Sequence, residues 1–271
     1  MKRILLILAA LCMISTRAHA AVKTETIVYQ DGDAKLEGFV AYDDAKTGKI
    51  PGILVVHQWK GITDHERNVA RKLAEEGYIA FCADIYGQGV RPVDSKEAGG
   101  QAGKYKGDRT LFKVRLNAGL KRLLEFNQTD SANVGAIGYC FGGTGVLELA
   151  RSGADLKGVC SFHGGLDFPK DDPPVKYKAS VMVQHGADDP SMKKELIDGF
   201  MDELKAEKAD WTFTYNGNAL HSFTEPGTNN PPMQKYNVEA DTRSWAAMTA
   251  FFKERFALPA TTDPNAPGVK G

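Results

Sequence analysis

The sequence predicts an α/β fold in which a mostly parallel β-sheet carries helices on both faces and is preceded by an N-terminal β-hairpin. Three observations lead to this prediction. Strand and helix patterns alternate along the chain, which is typical of parallel sheets with helical crossovers. The run Ile53–Val56 is continuously apolar, as expected of a strand buried on both faces. The composition, with 42% hydrophobic and 25% charged residues, is that of an ordinary globular protein.

The predicted elements follow one another in a regular order. Residues 24–30 and 35–42 flank a turn cluster at 31–33 and predict the hairpin. Further strands are predicted at 53–56, 78–83, 134–139, 158–162, 180–184 and 211–215, and helices at 64–76, 108–126, 143–150, 193–208 and 238–256. Residues 87–108 are rich in Gly and Lys and lack apolar periodicity, so they predict a loop. This loop either covers the site or is an ordinary surface loop.

The first twenty residues differ from the rest of the chain. Lys2 and Arg3 precede the apolar run Ile4–Ile14, and the tripeptide Ala18-His19-Ala20 follows. A basic start, a short apolar stretch and an A-x-A ending predict a cleaved secretory signal at residues 1–20, and therefore a secreted or periplasmic protein. The alternatives are a membrane anchor and a buried first helix.

The remaining chain predicts one domain over residues 21–258 and a disordered tail over residues 259–271, where the residues are small and polar. Basic and acidic residues number 34 each, so the formal net charge is zero. Without a basic excess, no broad surface for nucleic acid or anionic membranes is expected. We therefore expect a small-molecule substrate as partner, with no nucleic acid and no membrane contact after signal cleavage. The sequence leaves the oligomeric state open.

Three cysteines follow the predicted signal: Cys82, Cys140 and Cys160. An odd number leaves at least one free thiol in an oxidising compartment. Cys82 and Cys160 lie within apolar strand patterns, where cysteine commonly serves as a buried small hydrophobic side chain. The sequence has no H-x-x-x-H spacing, so we expect no metal site. The histidines at predicted strand ends are expected to bond to loop backbone; these are His57, His163 and His185.

Cys140 is the candidate nucleophile. It lies in Gly138-Tyr139-Cys140-Phe141-Gly142-Gly143, where a predicted strand turns directly into a helix. Such a sharp turn holds the nucleophile in strained backbone angles, and the flanking glycines keep the chain from clashing with itself. The helix that follows directs its positive end at the thiol and favours the thiolate. The alternative is a buried cysteine beside a glycine-rich turn.

Asp189 and His221 are the candidate partners of this thiol. A nucleophile needs a base, and the base needs an orienting carboxylate. In this architecture the chain order is nucleophile, acid, histidine. Cys140, Asp189 and His221 follow that order, each just past a predicted strand. Asp188 competes for the acid role, but the H-G-x-x-D spacing favours Asp189 and leaves Asp188 as a solvated loop carboxylate or turn former.

A tetrahedral intermediate at Cys140 needs two backbone N–H groups as an oxyanion hole. Phe141, directly after the nucleophile, is one candidate donor. Trp59 is the other, because it lies in the loop that follows the first buried strand. The alternative for Trp59 is an aromatic side chain that packs over the helix at 64–76. Both roles are compatible, since the oxyanion contact uses only the backbone of Trp59.

Five segments together resemble the dienelactone hydrolase family of α/β-hydrolases. They are Val55–Gly61, Ala83–Gly87, Gly138–Gly143, His185–Pro190 and His221–Phe223, in the order of the family. The resemblance extends from about Val28 to Phe256. It implies the α/β-hydrolase fold and a compact single-domain hydrolase with a Cys–His–Asp triad and no cofactor. The implied catalytic residues are Cys140, Asp189 and His221, with the amides of Trp59 and Phe141 as the oxyanion hole.

The chain departs from the family at two positions. Members that resemble the true dienelactone enzymes carry a Glu beside the thiol, where this chain has Gln58; a neutral amide cannot take the proton of the thiol. They also carry an Arg four residues after the catalytic histidine, where this chain has Glu225, which repels an anion. In the family this Arg holds the carboxylate of the substrate. Arg91 either replaces part of that contact or is a solvated loop cation. We therefore assign Gln58, Tyr86, Arg91 and Glu225 to substrate binding and expect a neutral or differently charged ester.

The predicted function is hydrolysis of small carboxylic esters or lactones through a thioester acyl-enzyme. Cys140 attacks the carbonyl group, and water activated by His221 then releases the acid. Because thiolate is also a good leaving group, activated esters, lactones and thioesters are better substrates than amides. The alternative is a non-catalytic binding or scaffold protein that retains the hydrolase fold, which Gln58 and Glu225 favour. The absence of C-x-x-C from the sequence disfavours a thiol redox protein.

Overall fold

The computed structural model describes residues 22–169, 171–172, 174 and 176–257. The predicted signal at residues 1–20 and the predicted tail at residues 259–271 lie outside the described residues, so both stay predictions. Within the described part of the chain, no helix is both long and apolar enough to cross a membrane.

Strands and helices alternate along most of the described chain. The elements are β1 (Val22–Asp31), β2 (Ala34–Asp43), β3 (Ile50–Val56), α1 (Asp64–Glu75), β4 (Ile79–Ala83), α2 (Ser95–Gly107), α3 (Arg109–Leu124), β5 (Thr129–Tyr139), α4 (Phe141–Arg151), β6 (Gly158–Phe162), β7 (Ser180–Gly186), α5 (Lys194–Ala206), β8 (Trp211–Asn216), β9 (Asn229–Asn230), β10 (Gln234–Lys235) and α6 (Val238–Ala257). β1 to β8 form one sheet in the order β1-β2-β4-β3-β5-β6-β7-β8. β2 runs antiparallel to both of its neighbours, and the other pairs are parallel. The predicted mostly parallel sheet and N-terminal hairpin are therefore confirmed.

Helices cover both faces of this sheet. α1 and α6 bury Leu73 and Phe252 against one face, and α3, α4 and α5 bury apolar side chains against the other. Ile53–Val56 of β3 is completely inaccessible to solvent, because both of its faces are covered. Each large apolar side chain buried in this way contributes about 1.5–3 kcal/mol. The central strands thus form a rigid base for the loops at their ends.

The prediction of a loop over residues 87–108 was wrong for most of the segment, which contains α2. The carboxylate of Asp94 caps this helix by accepting hydrogen bonds from the N–H groups of Lys96 and Glu97. α2 buries just Ala98 and Tyr105, so most of its surface is polar and the sequence carries no apolar period. The aspartate cap was the signal that could have indicated this helix.

The parallel strands β3, β5, β6 and β7 bring their carboxyl ends to one edge of the sheet. Their register pairs Val56 with Gly138, Tyr139 with Phe162, and Phe162 with Gln184. The loops that follow these four strands therefore leave the sheet side by side, where open α/β sheets place their functional sites.

Candidate active site

The turn between β5 and α4 presents Cys140 at this edge. Its φ of 54° and ψ of −114° lie in a region that residues with a side chain rarely adopt. A Cβ atom on Gly138 would lie 2.1 Å from the carbonyl oxygen of Gly142, and one on Gly142 would lie 2.1 Å from that of Val56. Glycine is thus required for so close an approach. Cys140 directly precedes α4, so its sulfur lies at the positive end of the helix dipole.

The structure brings the three predicted site residues Cys140, His221 and Asp189 together in a continuous row of side chains. Nε2 of His221 is 3.1 Å from Sγ of Cys140, and Nδ1 of His221 is 2.8 Å from Oδ2 of Asp189. The backbone N–H and the hydroxyl of Ser191 both donate to Oδ1 of Asp189. Asp189 is 6% exposed, whereas Asp188 lies on the exposed surface. The geometry therefore selects Asp189 as the partner of the imidazole.

The surroundings of His221 favour a protonated ring. Burial alone would lower its pKa, but the hydrogen bonds and charges of Asp189 and Cys140 raise the pKa to about 10. Burial would raise the pKa of Asp189, yet the hydrogen bond and charge of His221 and the hydrogen bonds from Ser191 lower it below its usual value. An imidazolium between a carboxylate and a sulfur stabilises the thiolate. The side chain of His221 keeps 19% of its surface exposed, and Cys140 is also partly exposed, so solvent reaches the row.

The two predicted oxyanion donors lie on segments that adjoin Cys140. Phe141 follows it directly, and its N–H belongs to the first turn of α4, where no intrahelical acceptor exists. Trp59 lies in the loop after β3, which passes so close to the Cys140 turn that a Cβ on Gly142 would lie 2.6 Å from the carbonyl oxygen of His57. Within the described residues, neither N–H group donates to a protein acceptor. Both remain available to a ligand.

Several hydrogen bonds hold the loop that carries Trp59. The hydroxyl of Tyr86 donates to the carbonyl oxygen of Trp59 at 2.9 Å. The buried carboxylate of Glu66 accepts from the N–H of Gln58 at 3.1 Å and from the N–H of Thr63 at 2.8 Å. The indole of Trp59 packs against the apolar core, so the packing role and the backbone role coexist. The loop is therefore restrained at both of its ends.

The four residues assigned to substrate binding have different surroundings. Gln58 is 4% exposed, and Tyr86 bonds to the Trp59 loop. Arg91 bonds to other groups of the protein. Its Nη2 lies 3.1 Å from Oε1 of Glu37, and its Nη1 donates to the backbone carbonyl of Val90 at 2.9 Å. Glu225 lines a cavity of about 480 Å³ between α1 and α6. Substrate contacts at these four positions stay predictions.

His163 and Thr224 lie beside His221. The sequence predicted a bond from His163 to loop backbone, but its ring contacts the side chain of Thr224 instead, and no pattern indicated Thr224. The His163 ring is completely buried and lies edge to face with the His221 ring, with 5.0 Å between ring centroids. Its Nε2 is 2.9 Å from the hydroxyl of Thr224, three residues after His221. Burial holds the pKa of His163 well below its usual value, so a neutral ring supports the loop of His221. The positive φ of His163, 41°, has no signature in the sequence.

The other two described cysteines are structural, as predicted. Cys82 on β4 and Cys160 on β6 are buried free thiols, and β3 and β5 separate their strands. Burial raises the pKa of both thiols well above the usual value. Both thiols are therefore poor nucleophiles.

Comparison with known proteins finds relatives that agree on one family. The model of the dienelactone hydrolase family matches residues 36–256. The solved structure of a dienelactone hydrolase-like promiscuous phosphotriesterase from metagenomic libraries is 38% identical, with a TM-score of 0.82 over 87% of this chain and 99% of that chain. A structure named m3DLH is 39% identical, with a TM-score of 0.82 over 88% of this chain and 100% of that chain. An uncharacterised protein of Caenorhabditis elegans is 37% identical over 54% of this chain and 95% of its own length.

The sheet order, the strained turn and these structural relatives define the class of protein as an α/β-hydrolase, which confirms the predicted fold. Within that class, the chain belongs to the dienelactone hydrolase family. It is accordingly a hydrolase of carboxylic esters or lactones, and the predicted enzyme class is confirmed.

Proposed function

We propose that this hydrolase cleaves small neutral esters or lactones with Cys140 as nucleophile, through a thioester acyl-enzyme. The row from Sγ of Cys140 through His221 to Asp189, with separations of 3.1 and 2.8 Å, carries the proposal. A nucleophile, a base within hydrogen-bond reach and a carboxylate that orients the base are the parts that nucleophilic acyl transfer requires.

In the acylation step, His221 holds a proton and Cys140 is the thiolate. The sulfur attacks the substrate carbonyl carbon, and the N–H groups of Trp59 and Phe141 donate to the oxyanion that develops. The tetrahedral intermediate collapses by breaking the bond to the alcohol oxygen. That oxygen takes the proton from Nε2 of His221, and a thioester on Cys140 remains. An ester releases its alcohol in this step, whereas a lactone opens and keeps the new hydroxyl on its acyl chain.

In the deacylation step, the thioester sulfur carries no charge. The hydrogen bond to the sulfur and the charge of Cys140 are two of the influences that raise the pKa of His221, and both are then lost. The neutral imidazole can therefore take a proton from water as the water attacks the thioester carbonyl. Cleavage of the C–S bond releases the acid and restores the thiolate beside the imidazolium.

Charge near the site favours a neutral substrate. Glu225 occupies the sequence position at which members that resemble the true dienelactone enzymes carry an Arg, and Arg91 is paired with Glu37. A second candidate substrate is a neutral aryl phosphotriester, because one relative with 38% identity is a promiscuous phosphotriesterase. The same thiolate would attack phosphorus in place of carbon, the P–O bond to the aryl group would break, and the aryl oxygen would take the proton from Nε2 of His221. Water would then cleave the P–S bond, with His221 as base, and restore the thiolate.

The test is a panel of aryl esters, lactones and aryl phosphotriesters with the mature protein and Cys140→Ala. We expect turnover of activated esters, a loss of at least about 1,000-fold in the variant, and an acyl mass on the Cys140 peptide after acid quenching. Unchanged turnover by Cys140→Ala would refute the mechanism. A Cys140 that is not alkylated at low pH, together with no turnover, would instead favour the non-catalytic scaffold.

Secretion through a cleaved signal at residues 1–20 is a separate proposal, which the basic start, apolar run and A-x-A ending support. N-terminal sequencing of protein from the periplasmic or culture fraction tests it. A mature chain that begins with Ala21 is the expected result, and an intact Met1 in the soluble cell fraction would contradict it.

A further inference from the structure

His57, the first residue after β3, is a completely buried histidine beside the loop that carries Trp59. Its Nδ1 lies 2.6 Å from the carbonyl oxygen of Gln58, and its Nε2 lies 3.2 Å from the backbone nitrogen of Ile85. Because the N–H of Ile85 can only donate, Nε2 is the acceptor and the ring proton is on Nδ1. Burial lowers the pKa of His57, so the ring stays neutral. Nδ1–H therefore donates to the Gln58 carbonyl.

The carbonyl group of Gln58 and the N–H of Trp59 belong to the same peptide unit. In a planar trans unit the C=O and N–H bonds point in opposite directions. The direction of the Gln58 carbonyl consequently sets the direction of the Trp59 N–H. Two donors hold that carbonyl oxygen: Nδ1 of His57 and the N–H of Gly61 at 3.2 Å.

We infer that His57 is a positioning residue of the oxyanion hole, which aims the N–H of Trp59 by holding the Gln58 carbonyl from the opposite side of the peptide unit. This inference rests on the proposed function, because it takes Trp59 as an oxyanion donor. The His57 ring also stacks on the ring of Phe141, with 5.8 Å between centroids. One buried ring thus contacts both segments that supply oxyanion donors.

Glu66 holds the preceding peptide unit, between His57 and Gln58, from its N–H side. A capping box at the start of α1 accounts for the bond from Thr63 to Oε2 of Glu66. The second oxygen, Oε1, goes beyond that motif and accepts from the N–H of Gln58. The loop is thus fixed on both sides of Gln58, which leaves the Trp59 N–H little freedom to rotate.

Two substitutions of His57 distinguish its proposed positioning role from a role in filling the core. The side-chain nitrogen of His57→Asn can replace Nδ1 and still donate to Gln58. In His57→Gln the side-chain amide reaches the position of Nε2. Its oxygen can accept from the N–H of Ile85, but no side-chain donor remains for the Gln58 carbonyl. Both variants leave a void in the core, so thermal denaturation of each gives a matched measure of the structural cost.

We expect His57→Gln to lower kcat for an aryl ester by about 10- to 100-fold with little change in KM, and His57→Asn to retain most of the activity. Alkylation of Cys140 at pH 6 should match the wild type in both, because the Cys140–His221–Asp189 row is intact. The rate ratio between an ester and its thionoester should fall in His57→Gln alone, since a C=S group gains little from oxyanion donors.

Equal losses of kcat in the two variants, or an unchanged ester-to-thionoester ratio in His57→Gln, would overturn the positioning role. Slower alkylation of Cys140 in parallel with kcat would overturn it too, because the defect would then lie in the nucleophile. Cys140→Ala provides the separate check on the proposed function: if that variant turned over esters normally, the mechanism would fail whatever the His57 variants did.

Discussion

At the scale of single residues, Asp188 and Asp189 show how adjacent carboxylates acquire different roles. The N–H of Asp189 bonds to Gly186 and the N–H of Asp188 to Ala219, so the two residues are anchored to different segments. This turn directs the Asp189 carboxylate inward to His221, at 2.8 Å, and leaves Asp188 exposed. In the sequence both aspartates are candidates for the acid role, and the H-G-x-x-D spacing favours Asp189. The contact between the side chains of Asp189 and His221 distinguishes them.

Asp189→Asn should lower kcat for an activated ester by about 100- to 10,000-fold, because an amide cannot stabilise the imidazolium and allows the wrong ring tautomer. Asp188→Asn removes the same charge one residue away and should remain close to the wild type. Steady-state kinetics of the two variants on one aryl ester measures the difference. A larger loss of kcat in Asp188→Asn than in Asp189→Asn would show that Asp188, and not Asp189, is the acid that orients His221.

The pH dependence of thiol alkylation should distinguish the same two variants. In the wild type the hydrogen bonds and charges of Asp189 and Cys140 raise the pKa of His221 to about 10, so the ring keeps its proton at pH 6. Asp189→Asn removes an influence that raises the pKa of His221, so the imidazolium that would stabilise a thiolate beside it becomes less favourable. Iodoacetamide rates should therefore decrease at pH 6 in Asp189→Asn but not in Asp188→Asn. Identical pH profiles would argue against a stabilised ion pair.

At the scale of elements, the β5–α4 turn depends on glycine for a steric reason. Gly142→Ala would place a Cβ 2.1 Å from the carbonyl oxygen of Val56, so either β3 or the turn has to move. We expect a loss of about 2–4 kcal/mol in unfolding free energy, at the upper end for a single substitution, together with a strong loss of activity. Urea denaturation and ester turnover measure the two effects.

Gly199→Ala in α5 is the matched control for this prediction. Nothing lies within 4 Å of a Cβ at Gly199, and alanine has the higher helix propensity. This variant should gain about 0.5–1 kcal/mol in stability and keep full activity. Equal stability changes in the two variants would show that close packing at the turn is not the cause.

At the scale of the whole molecule, a buried ionic network ties three helices to the loop after β6. Glu148 of α4 is completely buried and lies 3.2 Å from Nη1 of Arg109 of α3 and 3.6 Å from Nη1 of Arg151. Arg151 also pairs with Glu203 of α5 at 2.9 Å. Both arginines donate to backbone carbonyls of the loop, at Asp167 and Asp172. The network therefore fixes this loop to the helical layer.

Glu148→Ala should cost about 3–5 kcal/mol, because it leaves two buried arginines without their shared carboxylate. The exposed pair Lys194–Asp198 is the comparison: Asp198→Ala should change stability by at most about 0.5 kcal/mol. Chemical denaturation of both variants at neutral pH is the measurement. A cost for Glu148→Ala as small as that for Asp198→Ala would show that solvent already screens the network.

Local patterns determined much of the fold and the choice of the three site residues. The apolar run of β3, the glycines around Cys140 and the order Cys140, Asp189, His221 are all properties of short segments or of chain order. α2 was missed because its largely exposed surface leaves no apolar period. The role of Arg91 was left open because its ion pair with Glu37 joins positions 54 residues apart.

By itself, the sequence thus determined the α/β architecture, the strained turn and the three residues that meet there, because periodicity, glycine and chain order encode them locally. The tertiary structure decided the distances within the row, the engagement of Arg91, the support of His221 by His163 and Thr224, and the tautomer of His57. These depend on which segments the sheet brings side by side, and hydrogen bonds between such distant segments leave no pattern in a linear sequence.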